Sequence, residues 1–396
     1  VAETQFANRD AQGVLRATWR TSDNTAARGR SRLPGVLDLN GKLVRADGTR
    51  VHRYLPLAIS EQARHYVRDA VVAGKATSVE FKVQGDLHDM PFVDSRQGIF
   101  RIAAQVKDVT YAYVPQRLQQ QGELPWPALK NLAGELVFER ASMRINSAKG
   151  IFEGARAVQL NQVQAHIPDL GHAVVQVSAE ALGPLAEMLG VVKVSPLSAL
   201  TGHALDRATA DGNAALRLNL SLPVANLPQT RVRGSIVLAG NGVRILPDIP
   251  ELARARGTVD FTENSFVLKG TQARTLGGDM QLEGEMKALP HDAPPAQSGL
   301  QLRAQGVASA QGLHGAKELG FLSQLAHHAS GSVSYTMELT LRRGVPELLV
   351  NSTLQGLGLD LPALFAKSAA EGNAAETIVC CFIFFKLVKN EITVRP

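Results

Sequence analysis

A chain of 396 residues with 45% hydrophobic and 20% charged positions carries enough apolar side chain for a large core, which excludes a disordered polymer and a largely membrane-embedded protein. The net charge of +6 comes from 42 Lys and Arg set singly between apolar residues, as at Lys82, Arg217 and Arg303, and without clustered cations beside stacking aromatics nucleic-acid binding is set aside. The two cysteines, Cys380 and Cys381, are adjacent, so a spaced disulfide framework and a CxxC metal or redox motif are both excluded.

Only 5% of residues are aromatic, whereas 35 Gly and 19 Pro are scattered along the chain, a composition suited to many short strands and turns. In chain order, Val14 to Trp19 reads as strand; the sequence enters it without Met or a secretory signal and reads as an internal fragment. Ser60 to Val72 predicts a helix, with Ser60 as N-cap and Ala63, Tyr66, Val67, Ala70 and Val71 as its apolar stripe. Strict alternation follows at Val79-Glu80-Phe81-Lys82-Val83 and at Phe100-Arg101-Ile102. Gly183 to Leu205 reads as a second helical stretch, and Leu216 to Val224 then places Leu216, Leu218, Leu220, Leu222 and Val224 on one strand face against Arg217, Asn219 and Ser221 on the other. The period returns at Leu300 to Ala304, is broken by a third helical stretch at Leu313 to His327, and resumes at Val333 to Leu341. These are half-buried antiparallel strands, not the solid apolar runs of a parallel sheet. The longest apolar run, Ile378 to Phe385, is far short of the ~20 residues that cross a bilayer, so no transmembrane helix is expected.

The strands recur. Gly134-Glu135-Leu136-Val137-Phe138 matches Gly257-Thr258-Val259-Asp260-Phe261 at a shift of 123 positions, and the match runs on to Gly154 and Gly277. Gly212 and Gly331 align at a shift of 119, which puts Tyr335, Met337, Leu339 and Leu341 opposite Leu216, Leu218, Leu220 and Leu222. Three units follow, each with one helical stretch: residues 34–131, 132–250 and 251–366, after a remnant at 1–33 and before an atypical tail at 367–396. The junction from Pro247 to Gly257 is too short for a polar linker, which favours one continuous sheet over separate sandwiches.

Titratable groups do not converge on a catalytic or metal constellation. His327-His328 lack a third ligand at metal spacing and read as a solvated helix-end pair. Asp86, His88 and Asp89 lie in a Gly/Pro-flanked turn, where Asp serves turn hydrogen bonding. Gly277-Gly278 and Gly240-Asn241-Gly242 read as hairpin turns. No catalytic residue, cofactor or metal is assigned, and the chain is not read as an enzyme. A dry strand face fits an open trough and a closed sandwich core alike.

Several stretches together carry a resemblance: Leu33-Pro34-Gly35-Val36-Leu37-Asp38-Leu39-Asn40, Asp47-Gly48-Thr49-Arg50-Val51, Tyr54-Leu55-Pro56-Leu57, Gly85-Asp86-Leu87-His88-Asp89-Met90-Pro91-Phe92, Tyr113-Val114-Pro115 and Val237-Leu238-Ala239-Gly240-Asn241. In this order they resemble the bacterial YhdP family of AsmA-like proteins, over about residues 1 to 367. The resemblance implies a mainly β fold, an elongated, twisted antiparallel sheet curled into an open groove. It further implies the periplasmic region of an inner-membrane-anchored protein in a Gram-negative bacterium, conducting phospholipid between inner and outer membranes in support of the barrier. Carried over, the groove lining is Val79, Phe81, Val83, Leu216, Leu218, Leu220, Leu222, Tyr335, Met337, Leu339 and Leu341, with phospholipid acyl chains as partners and membranes at the ends of the full-length protein. The alternative is a structural β-repeat protein whose apolar core is closed and which binds protein partners. From about Gly372 the chain departs from the pattern, and the apolar tail reads as out-of-frame, vector-derived or truncated sequence, an aggregation hazard if exposed.

Overall fold

The computed structural model describes residues 2–22, 32–55, 60–119, 121–201, 203–226, 229–287, 299–342, 345–360, 367–370 and 376–381. Described residues are mainly strand, and every strand register is antiparallel. The chain divides into two compact units: Val1–Gly183 with Gly190–Leu200 and Arg217–Val232, and Pro184–Leu189 with Thr201–Leu216 and Arg233–Pro396.

The first unit is a meander in which each strand pairs with the next: β1 (Ala2–Ala7), β2 (Ala11–Arg20), β3 (Val36–Asp47), β4 (Val71–Asp86), β5 (Gly98–Tyr111), β6 (Leu129–Glu139), β7 (Ser142–Phe152), β8 (Ala155–Ile167) and β9 (Val174–Pro184). Further strands are β10 (Thr209–Ala210), β11 (Asn213–Pro223) and β12 (Arg231–Arg244), and Val224 falls just beyond the strand that its alternation had joined. In the second unit the meander continues through β13 (Leu252–Thr262), β14 (Phe266–Thr275), β15 (Gly278–Met286), β16 (Leu300–Ser309), β17 (Ala329–Arg342) and β18 (Val345–Ser352). A short β19 (Leu357–Leu359) also pairs with β17, and β20 (Glu376–Cys381) pairs with β18. Part of the atypical tail, 376–381, is therefore an edge strand, and its residues 371–375 and 382–396 lie outside the described residues. In neither unit do the described registers join the first strand to the last, so each sheet is open and not a barrel.

Ser60 caps the predicted helix, α1 (Glu61–Ala70), its hydroxyl accepting from Ala63 N at 3.3 Å. The helix docks through Tyr66, whose hydroxyl donates to the Tyr113 carbonyl at 3.1 Å and meets the Tyr111 hydroxyl at 2.7 Å. The second helical stretch is α2 (Leu185–Lys193) and α3 (Leu197–Leu200). The third is not one helix but α4 (Ala310–Gly315) and α5 (Phe321–Leu325) with 3-10 turns around them, because Gly320 turns the chain at φ 57.

Gly240-Asn241-Gly242 is a correction. It forms no hairpin but a bulge inside β12, where the register shifts on either side of Asn241. The buried Asn241 amide holds the bulge by donating to the carbonyls of Asp211 at 2.8 Å and Asn213 at 3.1 Å. Gly277, by contrast, is a hairpin turn with Leu276, both at positive φ.

Bulges form a row. Asp108, Asn131, Ser147 and Gln162, on β5 to β8, all have φ between 50 and 54, at or beside shifts in register. Arg254 and Gly270, at φ 53 and 57 on β13 and β14, stand 123 positions after Asn131 and Ser147. Each bulge bends its strand and raises its twist. Beyond the row the side chains are small and buried: Ala148, Ala155, Val158 and Ala181 in the first unit, Ala255, Ala273 and Ala304 in the second.

Candidate functional site

The apolar face is made by register, which aligns side chains that lie far apart in sequence. In the first unit Leu15, Gly41, Phe81, Ile102, Phe138, Met143 and Ile167 are successive cross-strand partners from β2 to β8. At ~4.8 Å per strand this row runs about 29 Å. A parallel row, Leu43, Val79, Ala104, Leu136, Ile145, Ala165 and Val177, lies beside it. The second unit repeats the device with Ile236, Val259, Leu268, Gly284, Leu302, Leu339 and Leu348.

The expected lining falls onto these rows in part. Val79 and Val83 are buried, each 9% exposed, whereas Phe81 is half-buried. Leu216, Leu218, Leu220 and Leu222 are half-buried on β11, and Tyr335, Met337 and Leu339 on β17; the Leu341 side chain lies outside the described residues. Tyr335 and Met337 pack against a buried cluster of Ala255, Ala273, Met280 and Ala304. Leu15, Leu43, Leu136, Phe138 and Ile145 also lie on these rows; their strands alternate visibly, but only the register joins them to Phe81 and Val79. The opposite face is charged, with cross-strand pairs such as Lys42–Glu80 at 3.2 Å and Lys269–Asp260 at 2.7 Å.

The turn at Asp86 is as its sequence indicates. Its carboxylate accepts from the backbone N and ring Nδ1 of His88 at 3.1 and 2.9 Å; burial opposes its ionisation, but these bonds outweigh it and hold the pKa at about 2. Burial also raises Tyr66, Tyr111 and Tyr113 above the usual phenol range. His327 and His328 do have a third imidazole beside them: His314, whose ring centroid lies 5.1 Å from that of His327. It stands thirteen positions before His327, too far for a spacing argument to join them. Among the described residues no group of three or more His, Cys, Asp or Glu is placed to hold a metal ion, and no helix is long and apolar enough to cross a membrane.

An open antiparallel meander, dry on one face and charged on the other, defines a β-groove protein. The family is specific: residues 1–377 match the YhdP protein family, and the chain belongs to it. Membership places it, at family level, with AsmA-like lipid-transport proteins. No curated protein and no solved structure matches the chain.

Proposed function

We propose that the chain is a periplasmic segment of an inner-membrane-anchored envelope protein that binds phospholipid by its acyl chains and conducts it between inner and outer membranes, supporting the outer-membrane barrier. The observation that carries this reading is the continuous half-buried row from Leu15 to Ile167, which crosses seven strands. Each CH₂ withdrawn from water contributes about 0.8 kcal/mol wherever along such a row it rests, so a chain is held without being fixed in place. Val79, Phe81, Val83, Leu216, Leu218, Leu220, Leu222, Tyr335, Met337, Leu339 and Leu341 solvate the lipid, and no bond chemistry is involved. Organisation into repeats at 34–131, 132–250 and 251–366 is part of the reading, supported by the matched bulges and by turn glycines Gly154 and Gly277, both at positive φ.

Native mass spectrometry of the purified chain tests it: phospholipid is expected to co-purify, and Leu218→Glu with Leu220→Glu to lower its occupancy while β circular dichroism is retained. A lipid-free wild type that merely unfolds on these substitutions sinks the reading. That result would select a closed core with protein partners, which the buried cluster around Met280 favours.

A further inference from the structure

The crossover between β16 and β17 packs onto one end of the second unit's apolar face. Ala310 and Leu313 meet Val333, Leu357 and Tyr335 there. Beside them, between α4 and the start of β17, lies a pocket of about 490 Å³ whose walls include Ser309, Gln311, His314 and His327. That is ample for a small polar group. Ala310 belongs both to its wall and to the cluster against which Tyr335 packs, and Ala329 of the wall packs against that same cluster, so the polar pocket and the apolar row share a boundary.

The polar groups of the wall are suited to an anion. None of its described residues is a carboxylate. Glu318, the acidic residue of the crossover, is turned to Arg244 at 3.8 Å. The His314 Nδ1 faces the Ser323 carbonyl at 3.2 Å, and since a carbonyl only accepts, Nδ1 carries the proton and Nε2 is left for a ligand. Nε2 donates to an anion when the ring is imidazolium. The rings of His314, His327 and His328 pack edge to face, with centroids 5.1 and 5.3 Å apart, which gathers three imidazoles at one place. Ser309 accepts from Gly312 N at 3.0 Å, so its hydroxyl proton is free to point outward, and the Gln311 amide adds two donors.

We infer that this pocket binds a phosphate group, and that its source is the headgroup of a phospholipid whose acyl chain lies along Tyr335 and Met337. The choice of source rests on the lipid-conducting reading above; the phosphate chemistry does not.

Calorimetric titration of the full chain with dihexanoylphosphatidylglycerol, dihexanoylglycerol and inorganic phosphate separates the two. The phosphorylated lipid is expected to bind about tenfold more tightly than the diacylglycerol, the value of one charge-assisted hydrogen bond. His314→Ala with His327→Ala should abolish that difference and leave dihexanoylglycerol binding unchanged. His314→Gln keeps a donor for the Ser323 carbonyl and should show the same loss of discrimination at an unchanged Tm. Equal affinity of the wild type for both lipids overturns the headgroup assignment, as does an equal loss of both in a variant of unchanged Tm. Inorganic phosphate that displaces the phosphorylated lipid supports it; inorganic phosphate bound without lipid discrimination makes free phosphate the occupant and overturns it. Should dihexanoylglycerol fail to bind the wild type, the groove reading fails, and the phosphate response of the histidine variants still decides the pocket.

Discussion

Phe81 on β4 lays its ring across Gly41, its register partner on β3, so closely that a Cβ at position 41 would collide with it; Phe261 covers its partner Gly234 in the same way. The glycine gives the ring a floor, and the ring covers backbone that glycine would otherwise leave bare. Gly41→Val and Gly234→Val should each push a ring off its site and cost about 1–3 kcal/mol, read as a lower midpoint in urea. A midpoint unchanged in both variants would show that the rings swing clear freely.

Among the described residues the buried Thr271 hydroxyl has no hydrogen-bond partner, whereas the position 123 earlier is Ala148, also buried. Thr271→Val removes the orphaned hydroxyl and keeps the shape. Stability should rise by about 1 kcal/mol, seen as a higher Tm in calorimetry, and a fall in Tm would mean that the hydroxyl has a partner in solution.

Tyr66 spends its one proton on the Tyr113 carbonyl, so Tyr111 must donate to Tyr66. Tyr66→Phe strands both partners and should cost about 1–2 kcal/mol. In a double-mutant cycle, Tyr66→Phe with Tyr111→Phe should cost less than the two single changes added together, because the second change removes a group already orphaned. Strict additivity would deny the coupling.

Asp86 has a folded pKa of about 2, below its ordinary value near 3.8, so its ionised form is favoured by folding. Its contribution is fully present above pH ~4 and is lost as pH falls through about 2. Acid titration of stability should therefore show a decrement across that window that Asp86→Asn abolishes; an identical acid limb in the variant would assign the decrement elsewhere.

Much of the fold was legible. Alternation at Val79 to Val83, Leu300 to Ala304 and Val333 to Leu341 identifies half-buried antiparallel strands because a period of two belongs to no other regular structure. Ser60 marked its helix because few residues cap well. The match of Gly134–Phe138 to Gly257–Phe261 marked two like stretches, which fold as the hairpins β6–β7 and β13–β14. Gly240-Asn241-Gly242 misled because a Gly-Asn-Gly sequence suits a turn and a bulge equally, and the deciding contacts lie some thirty positions upstream at Asp211 and Asn213.

By itself the sequence determined strand class, dry face and family, since each is written in neighbouring residues or in ordered motifs. Only the tertiary structure decided which dry residues form a row. Pairing register joins Leu15 to Phe81 and Phe81 to Phe138 through hydrogen bonds between backbones, which carry no side-chain signature. It likewise decided that His314 stands beside His327, because Gly320 folds the crossover back on itself.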